Sequence, residues 1–375
     1  MSVSGIASRR VGSLDTVRGL CLVSMLLGHF AEETLVSRAV HGARWIDGAV
    51  GFVLVSGLVL GLVRRRAFER GASIRDLTRA SWNRALQLWV IAMLLSGFGL
   101  ALEAVFGSSS IVVSYDDLGG AGALVDLATL QTSLNYVDIL ALYVWLLMAS
   151  PVLLLLLTRS QTAVALAIVP IPWLVDLVVP IEPLRTLTAD SRSGEVVFEA
   201  LFVAPRWFVL FGLGLVGGWH WAVVRAAFSK RAVQLGLVGS TLAFLVAARV
   251  VEVGDSSSVP AWLIDREELG VLTLVFALVS IGLLVVMLEA GGEKIRRFFD
   301  PVNSIGRMSL WTYGFHVIVL FVFDVPLTLP FTAAVGLLLA LFTFAVAWAW
   351  SVWRTPTKKL SRGSSNRSGF VEDLL

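Results

Sequence analysis

The sequence predicts an all-α fold: a polytopic membrane bundle of about ten transmembrane helices with both termini in the cytoplasm. Two observations predict this class. Of the 375 residues, 57% are hydrophobic and only 15% are charged, whereas soluble domains carry about 25% charged residues. The apolar residues also fall into runs of roughly 18–25, the length that crosses a ~30 Å hydrocarbon core as a helix. We therefore expect a multi-pass protein of the cell membrane, in contact with the lipid bilayer over most of its length.

Ten apolar segments are the candidate spans. They are residues 14–31, 47–63, 82–106, 134–157, 162–180, 201–224, 231–251, 269–288, 303–323 and 327–353. We divide the chain accordingly into a cytoplasmic N-terminus (1–13), a transmembrane domain (14–353) and a cytoplasmic tail (354–375). The tail is rich in Ser, Arg and Lys, a composition typical of disorder. The segments have no evident internal repeat, which argues against the inverted-repeat architecture of many transporters.

The orientation follows from the distribution of Lys and Arg among the loops, because cytoplasmic loops carry an excess of both. The most basic segment follows the second span, with Arg64, Arg65, Arg66, Arg70, Arg75, Arg79 and Arg84. It falls on the same predicted side as Arg9 and Arg10, whereas the opposite loops are longer and more acidic. We interpret the pI of 9.3 as this topology signal and expect no binding of nucleic acid.

The first span carries three polar residues, Asp15, Arg18 and His29, which are costly in hydrocarbon. Arg18 and His29 are eleven residues apart, or about three helical turns, so both lie on one side of the helix about 16 Å apart along its axis. Asp15 lies within roughly 60° of Arg18 on that side. This face offers a cation near the cytoplasmic surface and a titratable imidazole toward the outer face.

Three further windows place polar residues in apolar surroundings. They are residues 51–57, which are followed by the basic cluster at 64–66; residues 136–143, which contain Asp138; and residues 305–316, which contain Arg307 and His316. Small residues in the first of these windows favour close helix packing. The Arg cluster, at a cytoplasmic helix end, has the chemistry to bind phosphates by charge-assisted bonds.

Each of these residues also has a structural interpretation. Arg18 and Arg307 would snorkel to lipid phosphates, and the cluster at 64–66 would be only a topology signal. Asp138 would satisfy the dipole of a helix N-terminus. His316 would be a hydrogen-bonded histidine facing the bundle. The single cysteine, Cys21, excludes an internal disulfide, and the spacing of the four histidines predicts no metal site.

Taken together, the windows resemble the integral-membrane acyltransferases of the acyltransferase-3 superfamily, most closely its OpgC branch, the glucan-modifying succinyltransferases. The resemblance touches spans one, two, four, six and nine. The matching residues are Arg18 and His29, with ten residues between them; Phe52, Ser56 and Gly57; Asp138 to Tyr143 with Pro151; Trp207, Gly212 and Gly214; and Gly306, Arg307, Ser309, Leu310 and His316.

The resemblance implies an enzyme that moves an acyl group, succinyl or acetyl, from a cytoplasmic acyl-CoA to a hydroxyl group of an extracytoplasmic glycan. A sugar hydroxyl is a poor nucleophile at neutral pH, and a general base is the ordinary remedy. His29 is the best candidate, because an unperturbed pKa near 6.5 suits both accepting and returning a proton. Asp138 or Glu32 would orient the ring as a carboxylate partner.

The remaining site residues divide between donor binding and stabilisation of charge. Arg18, the cluster Arg64, Arg65 and Arg66, and Arg307 would hold the phosphates of CoA. Ser309 or Tyr313 would donate a hydrogen bond to the thioester oxygen as charge develops there. No metal is expected in this chemistry.

Two other classes of function stay open at the level of sequence. A secondary transporter or an exporter of a lipid-linked or free glycan would use intramembrane charges as a substrate or proton path. A scaffold or sensor subunit would leave the polar face of the first span without a role.

Overall fold

The computed structural model describes residues 11–32, 34–40, 48–107, 112, 121–130, 133–178, 199–253, 263, 269–327 and 332–354. Most of the predicted N-terminus and nearly all of the predicted tail lie outside these residues. So do many residues of the predicted acidic loops, among them Asp116, Glu182 and Asp255. The division of the chain into three regions therefore stays a prediction.

The described residues form helices and no strands. In chain order the helices are α1 (Gly12–Ala31), α2 (Leu35–Val40), α3 (Gly48–Glu69), α4 (Ile74–Phe106), α5 (Ala121–Ala128), α6 (Asp138–Thr158), α7 (Thr162–Ile168), α8 (Ile171–Val178), α9 (Glu199–Trp219), α10 (Trp221–Phe228), α11 (Arg231–Val253), α12 (Val271–Ala290), α13 (Gly292–Phe298), α14 (Asp300–Arg307), α15 (Ser309–Asp324) and α16 (Ala333–Arg354).

The all-helical class is confirmed for these residues, and every predicted span contains helix. Seven helices are long and apolar enough to cross a membrane: α1, α3, α4, α6, α11, α12 and α16. Two further candidates are bent pairs, α9 with α10 by 88° and α14 with α15 by 89°. The described part therefore offers seven to nine spans. The predicted fifth span is divided between α7 and α8, and the total of about ten with cytoplasmic termini stays a prediction.

Helix α1 lies at the centre of the bundle. It contacts α3, α12, α14, α15 and α16, and Leu14, Val17 and Phe30 are at most 1% exposed. By contrast, α11 packs mainly against α12 and presents most of its residues to the surroundings. Because polar side chains are costly in lipid, a central helix is the one that can carry them.

Contacts along α1 fix the direction of its neighbours. Gly306 of α14 packs against the backbone of Asp15, whereas His316 of α15 meets His29 further along. Helix α14 runs against α1, because Val302 lies at Gly19 and Gly306 lies at Asp15. After the 89° bend, α15 carries the chain along α1 in the direction of α1, to the contact of His316 with His29. Helix α3 runs the opposite way, because Gly48 lies against Met25 and Gly51 lies against Cys21. These directions agree with alternating membrane crossings.

Helices α3 and α9 form the closest helix pair, through glycines on both partners. A Cβ at Gly57 would collide with the Phe211 carbonyl, and a Cβ at Gly214 would collide with the Leu54 carbonyl. The same close approach of glycine to a backbone carbonyl recurs one turn later on each helix, at Gly61 on α3 and at Gly218 on α9. Lipid supplies little hydrophobic drive for helix association, so this backbone approach is what gains van der Waals contact.

We predict that Gly57→Ala weakens the α3–α9 pair. The new methyl group meets backbone atoms, which cannot rotate away, and overpacking of this kind costs about 1–3 kcal/mol or more. The measurement is thermal unfolding of the purified protein in detergent. Gly97→Ala is the matched control, because nothing lies within 4 Å of a Cβ at that position. Equal stability of the two variants would contradict the packing argument.

Candidate active site

Two histidines, one on α1 and one on α15, meet in the bundle. The Nδ1 atom of His29 on α1 lies 2.8 Å from the Nε2 atom of His316 on α15. The two rings are nearly parallel, with centroids 4.9 Å apart and an interplanar angle of 23°. His316 is 1% exposed, and Phe30 packs edge-on against it with ring centroids 5.6 Å apart. At this distance one ring nitrogen must donate and the other accept, so a single proton lies between the two rings.

Tyr136 covers the pair from the loop before α6. Its ring centroid lies 4.4 Å from that of His29. Tyr136 has a φ of +67°, a left-handed conformation that costs a non-glycine residue about 1–2 kcal/mol. Its backbone carbonyl accepts a hydrogen bond from the buried hydroxyl of Tyr313 on α15, at 2.5 Å. This bond holds Tyr136 in a conformation that the isolated turn would not favour.

Three carboxylates lie within electrostatic range of Tyr136. Burial raises the pKa of its hydroxyl, and the negative charges of Asp138, Glu32 and Asp324 raise it further. Asp138 is exposed at the first residue of α6, and Asp324 is 9% exposed at the end of α15. The Tyr136 hydroxyl therefore remains a hydrogen-bond donor at neutral pH, within electrostatic range of three carboxylates. Both carboxylates predicted to orient His29, Asp138 and Glu32, belong to this group.

A second polar group lies toward the other end of α1. Arg18 is within electrostatic range of Arg84 on α4 and of the buried Tyr143 on α6. Ser56 on α3 is a neighbour of the Tyr143 hydroxyl, and the Phe52 ring packs edge-on against the Tyr143 ring at 5.7 Å. The sequence windows that contain Arg18, Ser56 and Tyr143 are distant in the chain, yet they come together around Tyr143.

The three arginines of the predicted cluster at 64–66 lie in different surroundings. Arg64 is buried, at 6% exposure, and within the described residues its Nε atom has no hydrogen-bond acceptor. Arg65 forms an ion pair with Glu69 at 2.7 Å and lies 5.3 Å from the centroid of Trp219. Arg66 is half-buried. Of the three, Arg64 is the one whose burial calls for an anionic partner.

The other predicted site residues lie apart from the histidine pair. Arg307 is exposed and donates to the Ser304 hydroxyl at 3.1 Å. Ser309 is half-buried at the bend between α14 and α15, seven residues before His316 and so about 10 Å away along the helix. The hydroxyl of Tyr313, the alternative to Ser309 as a donor, is engaged with Tyr136.

Apolar side chains separate the two polar groups along α1. Leu22 and Met25 lie between Arg18 and His29 on the same face, by the 100° helical step, and both are buried. A ligand that reaches from one group to the other must pass beside them. No set of three or more His, Cys, Asp or Glu side chains in the described part is arranged to hold a metal ion.

The sequence does not reveal the roles of Arg84 and Tyr136. Arg84 reads there only as a topology signal, although it is the last charge before the long apolar run of α4. Tyr136 was noticed only as the start of a window. It precedes the first residue of α6 by two positions, a place where a tertiary contact rather than a periodic pattern decides the role of a side chain.

The fold and these two groups define a polytopic helical membrane protein with a buried histidine pair and a separate basic group along one central helix. A protein-family model described as "OpgC protein" matches residues 9–359. The chain therefore belongs to the OpgC family, and this membership indicates an acyltransferase. No curated protein matches the sequence.

We predict that Tyr313→Phe destabilises the turn at Tyr136. The variant leaves the Tyr136 carbonyl without its donor, a loss of about 1–3 kcal/mol for a buried group. Thermal unfolding in detergent measures the change. Thr343→Val is the matched control, because it removes a buried hydroxyl that has no hydrogen-bond partner in the described part. If both variants unfold at the wild-type temperature, Tyr313 does not hold the turn.

Proposed function

We propose that this protein is an integral-membrane O-acyltransferase that moves a succinyl or acetyl group from a cytoplasmic acyl-CoA to a hydroxyl group of an extracytoplasmic glycan, with His29 as general base. OpgC membership supports the reaction class. The observation that carries the residue assignment is the 2.8 Å contact between His29 and His316 inside the bundle. An imidazole held there is oriented for proton transfer, and His29 itself is half-buried.

The acceptor sugar binds at the Tyr136 side of His29. Sugar hydroxyls donate hydrogen bonds well to carboxylates, and Glu32, Asp138 and Asp324 lie within electrostatic range of Tyr136. The Tyr136 ring adds an apolar surface with a polar tip. Asp138 and Glu32 are exposed, so a ligand can reach this side from outside the bundle. Asp138 thus has a role in acceptor binding beside its predicted role as an orienting carboxylate.

The reaction is a direct acyl transfer in its simplest form. His29 takes the proton from the sugar hydroxyl while the sugar oxygen bonds to the thioester carbonyl carbon. The C–S bond then breaks, and the protonated His29 returns the proton to the departing sulfur. The products are the glycan ester and the CoA thiol, and no oxidant or reductant is required.

The donor binds at the opposite end of α1. Arg64 contributes a buried guanidinium whose Nε lacks an acceptor among the described residues, and Arg18 lies close to Arg84. Phosphate groups would compensate the positive charges of these side chains. Arg65, Arg66 and the exposed Arg307 would add long-range attraction for the anionic donor.

The buried Leu22 and Met25 lie on the route between the donor and acceptor ends. The acyl-bearing arm of CoA is long, thin and largely uncharged, so it suits an apolar route between helices. A distance of about 16 Å from Arg18 to His29 requires an extended ligand. We set the transporter alternative aside, because OpgC membership points to an acyltransferase.

We predict that His29→Ala abolishes acylation while the protein still folds and inserts. Loss of a general base costs about 10²–10⁴-fold, so ester on cell-envelope glycans should fall to background in a mass spectrum. His220→Ala is the control, because His220 bonds to Thr162 at 2.9 Å, remote from the pair. Wild-type ester content in the His29 variant would refute its role as base.

We predict that Arg64→Met weakens donor binding and stabilises the fold. A lost charged hydrogen bond of about 1.5–3 kcal/mol corresponds to roughly 10–100-fold in affinity, whereas removal of a buried charge relieves its desolvation cost. Calorimetry with succinyl-CoA and acetyl-CoA, together with thermal unfolding, measures both effects. Arg70→Met, at an exposed position after α3, is the control. A stabilised protein with unchanged affinity for both donors would leave Arg64 no part in binding.

A further inference from the structure

The histidine partner of His29 occupies the position where a carboxylate was expected. In hydrolases that use a histidine base, a carboxylate accepts the Nδ1–H bond and so leaves Nε2 as the basic nitrogen. Here Nδ1 of His29 lies 2.8 Å from the Nε2 atom of His316. The group that faces Nδ1 is therefore an imidazole, which carries no negative charge in its neutral form.

The backbone of α15 decides which of the two rings donates. His316 also interacts with the backbone of Tyr313, one helical turn earlier. Within a helix, the backbone group directed toward the following turn is the carbonyl, which only accepts hydrogen bonds. Since His316 Nε2 faces His29, Nδ1 is the nitrogen that donates to that carbonyl. A neutral His316 with a proton on Nδ1 has a lone pair on Nε2.

This lone pair sets the state of the partner ring. His316 Nε2 accepts the proton carried by His29 Nδ1, and neutral His29 then has its lone pair on Nε2. The Tyr313 carbonyl thus accepts a hydrogen bond from His316 Nδ1, and His316 Nε2 accepts one from His29 Nδ1. It reproduces with two imidazoles what a histidine and a carboxylate achieve in hydrolases.

We propose that His316 is the positioning residue of the acyl transfer, and that it fixes His29 in the tautomer whose Nε2 receives the proton of the acceptor hydroxyl. The inference rests on the proposed function, because it assigns a role within that reaction. His316 touches neither substrate in this scheme and acts through His29. Its neighbours Phe30 and Tyr313 hold the ring in place, at centroid distances of 5.6 and 5.3 Å.

The neutral charge of the His316 imidazole affects how His29 holds its proton. When His29 receives a proton, the pair carries one positive charge, and a second proton is opposed by repulsion between adjacent imidazolium rings. A carboxylate partner would stabilise the protonated base, whereas an imidazole partner leaves it readier to return its proton to the thiolate. Tyr136 and Tyr313 pack against the pair, and among the described residues the groups within electrostatic range of these two tyrosines are Glu32, Asp138, Tyr143 and Asp324.

The first arm of the test observes the tautomer directly. The chain has four histidines, so ¹⁵N-histidine labelling of the full-length protein in lipid nanodiscs gives an assignable spectrum, with His41→Gln and His220→Gln as assignment variants. We expect His29 to carry its proton on Nδ1 in the wild type. In His316→Leu we expect a mixture of both tautomers, and in His316→Gln, whose side-chain oxygen still accepts, the wild-type state.

The second arm measures transfer from succinyl-CoA to a glucan oligosaccharide. In hydrolases, loss of the correct tautomer costs about 10⁴-fold in kcat, and we expect His316→Leu to lose at least about tenfold with an unchanged KM for succinyl-CoA. His316→Gln should retain most of the wild-type kcat. This rescue separates positioning from packing, because leucine and glutamine both fill the buried site but only glutamine accepts a hydrogen bond.

The outcomes separate the two proposals. If the wild type transfers acyl groups and His316→Leu matches it in both kcat and His29 tautomer, the positioning role is overturned and the proposed function stands. The role is also overturned if both His316 variants lose activity equally while His29 keeps its wild-type tautomer. If the wild type transfers no acyl group from succinyl-CoA or acetyl-CoA, the proposed function fails, and the positioning role fails with it whatever the spectrum reports.

Discussion

The hydrogen bond between His29 and His316 depends on how closely α14 and α15 approach α1. Polar rings in a membrane bundle must satisfy each other, because lipid offers no hydrogen bonds. The approach begins about four turns before His29 on α1, where Gly306 lies against the Asp15 backbone so tightly that a Cβ would collide with it. The bend after α14 then directs α15 along α1. A bulkier residue at Gly306 would separate the helices and, with them, the two imidazoles.

The polar groups of α1 form two separate environments. At one end, His29 lies among aromatic rings and near carboxylates, in a setting that favours proton transfer and hydroxyl binding. At the other end, Arg18 lies with other basic and hydroxyl side chains, in a setting that favours anions. The apolar side chains between the two ends keep the charges apart. A single helix can therefore present chemistry of opposite electrostatic character near its two ends.

Helix packing explains why residues from distant windows act together. Phe52 and Ser56 come from α3 and Tyr143 comes from α6, yet they meet beside Arg18. The same α3 is held against α9 by glycines one helical turn apart on both helices. Because backbone contact leaves little room for sliding, the register of α3 is fixed, and with it the position of Ser56 and Arg64. The glycines thus contribute to the site without touching a ligand.

The sequence by itself determined the helical class, the approximate helix positions and the polar face of α1. These follow from composition and from the 100° helical step, which are local properties. Only the tertiary structure decided which polar residues meet. The sequence predicts His316 as a hydrogen-bonded histidine that faces the bundle, but only the tertiary structure shows that its partner is His29. Arg84 and Tyr136 looked peripheral and lie at the two polar groups. Which side chains meet across two helices depends on the distance between the helices and on how each is rotated about its axis. Glycine contacts and helix bends set both quantities, and the periodicity of a single segment does not encode them.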